Sequence, residues 1–268
     1  QAVSQALEQP IAAAQAYVQQ QPATNVDETG WREQNKRAWL WVGATPQVAV
    51  FSIQSTRGAA GVKQLLGETV TGIVGSDRWS AYNWLDAELR QLCWSHLQRD
   101  FQKLVDRQGE SAQIGQDLLT QSEQLFILWH QMRDVTLGRS EFQVKVQPIQ
   151  TKVHQYLEQG RAISHQQTSR TCHNLLKLEP ALWTFVYVEG VEPTNNLAER
   201  CLRRAVLWRR RSFGTQSSDG RRFVERILTT VTTLRLQQRD VLDYLTAACT
   251  ATINRQLPPS LLPRASPT

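Results

Sequence analysis

The feature that most constrains the fold of this chain is a change of pattern along its length. Residues 24–94 contain short runs rich in β-branched and aromatic residues, separated by turn-forming residues. From residue 97 to about residue 189 these runs stop, and apolar residues such as Leu118, Leu125 and Trp129 recur at helical spacings. Short β-type runs are typical of strands, and spacings of three and four are typical of amphipathic helices. The sequence therefore predicts a sheet followed by a helical segment.

The early part of the chain predicts a mixed α/β layer. Three runs suited to an antiparallel meander occupy residues 24–31, 37–42 and 48–53. A short helix at residues 58–66 is expected next, followed by the compact apolar strand GIVG at residues 72–75. Residues 89–94 are the expected last strand of the sheet. A helix and then a strand after a meander indicate an α/β layer architecture.

The pattern of the whole chain predicts five segments. Breaks at Gly138, Pro148 and Gly160 are expected to divide the helical region into several helices. Composition predicts a helix at the Ala/Gln-rich start of the chain and disorder at its proline-rich end. The segments are 1–23, a connecting helix; 24–96, the first part of the core; 97–189, an all-helical insertion; 190–256, the second part of the core with C-terminal helices; and 257–268, a disordered tail.

Charge and cysteine usage narrow the expected partner and location. The formal net charge is +6, and the chain contains nine tryptophans, which together favour nucleic acid over a membrane surface as the partner. The sequence lacks both a signal-peptide pattern and a run of about 18 apolar residues, so we expect a soluble, cytoplasmic protein. The four cysteines form no Cys-x-x-Cys pair, and reduced thiols are expected. Because the chain begins with Gln1 and its one methionine is Met132, we expect that an N-terminal portion is missing.

The positive charge is concentrated around a single carboxylate. Residues 193–213 read PTNNLAERCLRRAVLWRRRSF, and Asn196 followed by Glu199 predicts a capping box with Glu199 in the first turn of a helix. Between residues 199 and 226 nine arginines accompany three acids, an excess equal to the charge of the whole chain. Such a strip suits a site that holds a polyanionic backbone and places a divalent metal on a phosphate. The alternative is a solvated basic helix face with an ordinary capping glutamate.

Two further carboxylates, Asp27 and Asp77, are predicted at strand ends. Adjacent strands can bring such side chains within metal-bridging distance, and a helix packed across the sheet can supply Glu199. Three carboxylates without histidine form an oxygen-rich site suited to Mg²⁺ or Mn²⁺ rather than Zn²⁺. Such a site can hold two ions about 3.5–4 Å apart for in-line phosphoryl transfer. Glu28 and Asp86 flank the candidate acids and are rival ligands.

Several specific blocks follow one another between residues 24 and 255. They read DETGWREQNKRAWLWV, STRGA, SDRWSAYN, QLCWSHLQRDF, LWTFV, GVEPTNNLAERCLRRAV, RRRSFGTQSSDGRRFVER and RDVLDYL. In this order they resemble the insertion-sequence-sixty-six family of bacterial DDE transposases, and PTNNLAER and SDRWSAYN are the most specific of them. The resemblance implies an α/β fold with a ribonuclease H-like mixed sheet, flanking helices and an all-helical insertion before the last catalytic acid.

The resemblance also implies a chemistry and its residues. Asp27, Asp77 and Glu199 would be the catalytic, metal-binding acids, with two Mg²⁺ or Mn²⁺ ions per site, and zinc is not expected in this chain. A phosphodiester at the transposon end would be cut by water, and the freed 3′-hydroxyl would attack target DNA at the same site. The partner would be DNA, bound by a homo-oligomer, a dimer, associated with the nucleoid. The N-terminal helices and zinc-binding-type segment usual in the family are absent from the sequence.

The alternative functions are a catalytically inactive DNA-binding derivative of a transposase and a ribonuclease H-like nuclease.

The residues predicted to bind DNA are Arg200, Arg203, Arg204, Trp208, Arg209, Arg210, Arg211, Arg221 and Arg222. Cys93-x-x-His96 is either a functional pair or a buried thiol beside a helix-start histidine. Asn195 and Asn196 are most simply helix caps, with DNA-phosphate contacts as the second interpretation. Core positions, rather than base-stacking ones, are expected for Trp31, Trp39, Trp41 and Trp79.

Overall fold

The computed structural model describes residues 2–263, and the chain divides into two compact units. Within the described residues, unit 1 comprises residues 2–89 and 195–263, and unit 2 comprises residues 90–194. The strands are β1 Ala23–Glu33, β2 Lys36–Ala44, β3 Ala49–Gln54, β4 Ile73–Ser76 and β5 Arg90–Leu92. The helices are α1 Ala2–Ala6, α2 Glu8–Gln19, α3 Ala59–Leu66, α4 Trp94–Val105, α5 Gly109–Arg133, α6 Arg139–Ala162, α7 Gln166–Lys177, α8 Pro180–Tyr187, α9 Asn196–Ser212, α10 Ser218–Leu236 and α11 Val241–Ile253. Among residues 2–263, none of these helices has the length and apolar character that crossing a bilayer requires.

The sheet of unit 1 is mixed, with strands in the order β3-β2-β1-β4. Strands β1, β2 and β3 form the predicted antiparallel meander. Gln34 and Asn35 join β1 to β2, and both have positive φ, as a two-residue turn matching the strand twist requires. Strand β4 is parallel to β1 and, within the described residues, pairs with it only at residues 23–25. The remainder of β1 is therefore open to other elements along that edge.

Helices cover both faces of this sheet. One face packs with α1, α2, α3 and α11 around Trp41 and Val50, and the N-terminal residues Leu7 and Val18 are buried there. The other face packs with α9 and α10 around Leu40 and Phe51. Residues 2–19, predicted as a connecting helix, thus form two helices that belong to the core of unit 1.

The end of the described chain is ordered, although the sequence predicts disorder from residue 257. Leu261 is buried in the core of unit 1. Tyr244 Oη donates to the Pro259 carbonyl at 2.8 Å, and Gln237 Nε2 donates to the Leu261 carbonyl at 2.9 Å. One buried leucine and two backbone acceptors thus hold a proline-rich stretch against α10 and α11. Residues 264–268 of the predicted tail lie outside the described residues.

Unit 2 begins with β5 and continues as helices α4 to α8. The prediction that Pro148 and Gly160 end helices is wrong, because both lie inside α6. Pro148 removes one backbone hydrogen bond, but the helix continues because Val146, Ile149 and Val153 are buried along one of its faces. Tertiary burial therefore overrides the local helix-breaking signal here.

Candidate active site

Asp27 and Glu28 are consecutive on β1, so their side chains leave opposite faces of the sheet. Asp27 lies opposite Val42 in the β1–β2 register, and Val42 belongs to the core beneath α9 and α10. Glu28 lies opposite Trp41, which is buried on the other face, where α3 packs. Asp27 therefore shares a face with α9, the helix whose first turn carries Glu199, as the sequence predicted.

Glu28, a rival ligand in the sequence analysis, is already engaged on its own face. Its side chain is 1% exposed, its Oε1 accepts from Arg57 Nε at 2.8 Å, and its Oε2 accepts from Tyr82 Oη at 3.1 Å. The Arg57 guanidinium also lies 4.1 Å from the ring centroid of Trp79 and 4.9 Å from that of Trp39. Both oxygens of Glu28 thus have protein partners, which disfavours a role as a metal ligand.

Asp77 follows β4 directly and begins a turn. Its Oδ1 accepts from the backbone N–H of Trp79 at 2.8 Å. Strand β4 pairs Ala23 with Ile73 and Asn25 with Gly75, and the same register continued by two residues brings Asp77 level with Asp27. The order of the strands thus brings the first two predicted acids together on neighbouring strands.

Asp86, the other rival, lies away from this pairing. It is exposed, and its Oδ1 accepts from the backbone N–H of Glu88 at 3.1 Å. That hydrogen bond lies at the start of the 3₁₀ turn Ala87–Leu89. A turn-capping role accounts for this carboxylate.

Burial and the neighbouring carboxylates raise the pKa of Asp27 to about 7. Burial is the largest cause, and the negative charge of Glu28 is the next. The backbone N–H of Glu28, which donates to Asp27 Oδ1 at 2.9 Å, opposes the rise, while the charges of Asp77 and Glu199 add to it. Because Coulomb interactions weaken with distance, both acids lie near Asp27. The structure therefore brings the three predicted acids into one electrostatic environment.

Helix α9 is held along the open edge of β1 by side chains at both of its ends. Asn195 Nδ2 donates to the Val26 carbonyl at 2.8 Å. Arg209 Nη1 donates to Thr29 Oγ1 at 3.0 Å and also to the Gly30 carbonyl. These bonds satisfy backbone carbonyl groups of β1 that would otherwise bind a neighbouring strand. They also fix the position of α9 along β1 relative to Asp27.

The predicted capping roles need correction. Asn195 occupies the N-cap position, but its side chain makes no capping hydrogen bond and is only 1% exposed. Its amide binds β1 instead, so Asn195 aligns α9 with the sheet. Asn196 is the first residue of α9 and is exposed. A phosphate contact by Asn196 stays a prediction.

The predicted DNA-binding arginines divide into engaged and exposed ones. Arg209 is held by β1, Arg221 Nη1 lies 3.5 Å from Glu33 Oε2, and Arg222 pairs with Asp219 on its own helix. These three have structural partners that the sequence did not predict. Trp208 packs edge-to-face against Phe223, with ring centroids 6.5 Å apart. Arg222 is exposed although it pairs with Asp219, and the other exposed arginines of the predicted set are Arg200, Arg203, Arg204, Arg210 and Arg211.

Cys93 and His96 lie in unit 2 at the start of α4. Cys93 is buried at the N-cap position, and His96 is half-buried in the first turn. Side chains three residues apart share one face of a helix. The functional role predicted for the pair stays a prediction.

Three carboxylates with only oxygen donors suit Mg²⁺ or Mn²⁺. Burial and the neighbouring carboxylates raise the pKa of Asp27, so its ionised form is unfavourable without a compensating cation. Arg57, a nearby cation, is bound to Glu28. A divalent cation would supply the missing charge and lower the pKa of Asp27. The donor set and the electrostatics therefore both fit such an ion.

Arg57 and Tyr82 are the site residues that sequence reasoning missed. Both lie in the blocks STRGA and SDRWSAYN, but neither residue type at its position indicates a partner. One signal in the sequence could have revealed them. Glu28 is an acid on an otherwise apolar face of the sheet, and a buried carboxylate requires a cation or a hydroxyl group as its partner.

Comparison with known proteins gives a family match and a relative. The family model described as "Transposase IS66 family" matches residues 1–222. A protein of Sinorhizobium fredii (strain NBRC 101917 / NGR234), described as uncharacterized protein y4qI, is 26% identical over 237 residues, which cover 80% of this chain and 43% of that protein. The chain thus spans less than half the length of this curated relative. No solved structure gives a significant match.

Proposed function

The chain belongs to the IS66 family of transposases, and we propose that it cuts and joins DNA when an insertion sequence moves, with Asp27, Asp77 and Glu199 as its metal-binding acids. Membership of the family supports a function in transposition with DNA as the partner. The observation that carries the site assignment is the β1–β4 register, which brings Asp77 level with Asp27, together with the packing of α9, the helix of Glu199, on the Asp27 face. The charges of Asp77 and Glu199 add to the rise in the pKa of Asp27 that burial and Glu28 cause, and such perturbed acids are typical of functional sites.

In the proposed mechanism, Asp27, Asp77 and Glu199 would hold two Mg²⁺ or Mn²⁺ ions. When bound, the ions would activate the attacking oxygen and stabilise the leaving oxygen of an in-line phosphoryl transfer. The chain itself keeps the three carboxylates at fixed positions. The bonds from Asn195 and Arg209 hold α9, and therefore Glu199, against β1. Arg57 holds Glu28 on the opposite face of the sheet, where it does not compete for the ions.

DNA backbone would lie along the exposed arginines of α9. Exposed guanidinium groups bind phosphates and release condensed counterions, which supplies sequence-independent affinity. Five such groups on one helix, with Glu199 in its first turn, would hold a phosphodiester near the acids. Assembly as a dimer on DNA is part of the same proposal, because two transposon ends need two active sites.

A ribonuclease H-like core with a helical insertion is the proposed architecture. The mixed sheet of unit 1, the helices of residues 94–187 and the later return of Glu199 to unit 1 support this proposal. The order of elements along the chain is the order that the family resemblance implies.

The test is metal-dependent cleavage and strand transfer on the element's own end sequences. Asp27→Asn, Asp77→Asn and Glu199→Gln should each reduce the rate by more than about 100-fold, because each removes a metal ligand. DNA binding should be retained. Asp86→Asn is the matched control, since it removes an exposed acid of the same unit and should leave the rate unchanged.

Two results would contradict the proposal. One is full activity of the Asp27 variant, and the other is an equal loss in the Asp86 control. A wild-type chain that binds end DNA but cuts nothing with Mg²⁺ or Mn²⁺ would favour the inactive DNA-binding derivative.

A further inference from the structure

Unit 1 contains a groove of about 830 Å³ that the proposed phosphoryl transfer does not use. Its walls include three arginines and three aromatic residues, and none of the described residues that line it is acidic. The six are Trp31, Arg32, Arg37, Trp39, Arg209 and Phe213. Trp31 is buried and forms part of the floor, whereas Arg32, Arg37 and Phe213 are exposed. The groove therefore combines positive charge with one exposed aromatic ring, that of Phe213.

Two features of this groove work against the stability of the chain. Arg32 and Arg37 lie directly opposite each other in the β1–β2 register, and like charges in that position repel. Phe213 ends α9 with φ at 58°, a left-handed conformation that favours Gly or Asn and is strained for a bulky residue. Phe213 is nevertheless 74% exposed. Unfavourable choices that meet at one place are typical of functional sites.

We propose that this groove binds single-stranded DNA next to the phosphodiester that is cut. The arginines would bind the phosphates, and the exposed ring of Phe213 would stack on an unpaired base. Base stacking requires an unpaired base, because the bases of a duplex are stacked between neighbouring pairs. The Arg37 guanidinium stacks on Trp39, 4.8 Å from its ring centroid, which holds this cation in the groove wall.

The position of the groove links it to the proposed active site, on whose function this inference rests. Gly30, in the groove wall, is three residues from Asp27 on β1, about 10 Å along an extended strand. Arg209 joins the two regions, because it lines the groove and donates to Thr29, which shares a sheet face with Asp27. Arg32, Arg37 and Trp39 lie on the Glu28 face of the sheet, whereas Trp31 lies on the Asp27 face. A single strand in the groove would therefore reach the acids on its Arg209 side.

Binding of a labelled oligothymidylate and of a blunt hairpin duplex to the full chain tests the inference, with EDTA present so that no cleavage occurs. Phe213→Gly removes the ring and relaxes the strained backbone, so folding should be preserved. We expect its affinity for the single strand to fall roughly 5- to 150-fold and its affinity for the duplex to stay the same. Phe213→Tyr, which keeps a stacking ring, should bind both as the wild type does.

A second variant tests the charges. Replacing Arg32 and Arg37 together with alanine should reduce the slope of log affinity against log salt for the single strand by about 1.4. Arg133→Ala with Arg170→Ala is the matched control, since both arginines are exposed and lie in unit 2. The control should leave the slope unchanged.

Unchanged single-strand affinity in Phe213→Gly, or an equal loss for duplex and single strand, would overturn the inference. If the double variant of Arg32 and Arg37 has the same salt slope as the wild type, these charges do not bind the single strand. These binding measurements need no metal and no cleavage. Their result can therefore contradict the single-strand site without contradicting the proposed transposase chemistry. Absence of strand transfer with an intact single-strand site would count against the proposed function alone.

Discussion

Asp27 binds a proton more tightly in the folded chain than in an unfolded one. Burial, then the charges of Glu28, Asp77 and Glu199, raise its pKa from the ordinary value of 3.8 to about 7. Because the folded-state pKa is the higher one, the contribution of this group to stability is fully present below about pH 4. It is lost as the pH rises through about 7. At pH 8 the metal-free protein therefore carries an unfavourable buried charge at this position.

The first prediction follows from that charge. In EDTA, Asp27→Asn should raise the free energy of unfolding at pH 8 by about 1–4 kcal/mol and change it little at pH 4. Urea unfolding at the two pH values measures this difference. Asp86→Asn, at an exposed position, should show no difference between the two. Destabilisation of the Asp27 variant at pH 8 would contradict the electrostatic account.

The choice between Asp27 and Glu28 shows the limit of sequence reasoning at this scale. Alternation along a strand predicts that the two side chains point to opposite faces. Which face holds Glu199 depends on the pairing with β2 and on the packing of α9. These are contacts between residues far apart in the chain, and so are the bonds from Arg57 and Tyr82 to Glu28. Local patterns contain no information about them.

At the scale of elements, the position of α9 against β1 is the central feature. Asn195 is buried, and its amide reaches the carbonyl of Val26, the residue next to Asp27. Asn195→Ala should lower the free energy of unfolding by about 1–3 kcal/mol, because a buried carbonyl loses a donor. It should also weaken Mn²⁺ binding, because Glu199 is no longer held at its position. Calorimetry and metal titration measure the two effects.

Asn196→Ala is the control for this prediction, since Asn196 is the exposed neighbour. Its effect on both quantities should be small. Equal weakening of metal binding in the Asn196 and Asn195 variants would contradict the prediction. It would mean that the hydrogen bond from Asn195 to the Val26 carbonyl does not align α9.

The strands and helices themselves were largely predictable, because each has a clear local pattern. The meander, the GIVG strand β4 and the helix containing Glu199 all formed where the sequence predicted them. The errors lie at Pro148, Gly160 and residues 257–263, where burial against other elements outweighs a helix-breaking or disorder-favouring composition. Such burial is a tertiary effect that single-sequence patterns do not record.

For the whole molecule, the concentration of positive charge predicts how the proposed DNA binding depends on salt. Arg210 and Arg211 are both exposed at the end of α9. Replacing both with alanine should lower the slope of log affinity against log salt for duplex DNA by about 1.8, because two phosphate contacts are lost. The Arg133 and Arg170 double variant of unit 2 is the control for the same loss of charge. A slope equal to that of the wild type would refute the assignment.

At this scale the sequence predicts a β-rich part, a helical part and the return of an acid-bearing helix, and the division into five segments stays a prediction. Among the described residues, unit 1 contains residues 2–89 and 195–263. The sequence did not predict that Arg209, Arg221 and Arg222 have structural partners. Counting arginines gives the size of the positive charge, whereas the packing of α9 and α10 decides which arginines have protein partners.

The central claim is that Asp27, Asp77 and Glu199 form one metal site. Anomalous diffraction from crystals of the chain soaked with Mn²⁺ tests it most directly. We predict two Mn²⁺ ions about 3.5–4 Å apart, bound by carboxylate oxygens of all three residues, while Glu28 stays bound to Arg57. Mn²⁺ bound by Glu28 or Asp86 instead, or ions with no contact to Glu199, would contradict the account.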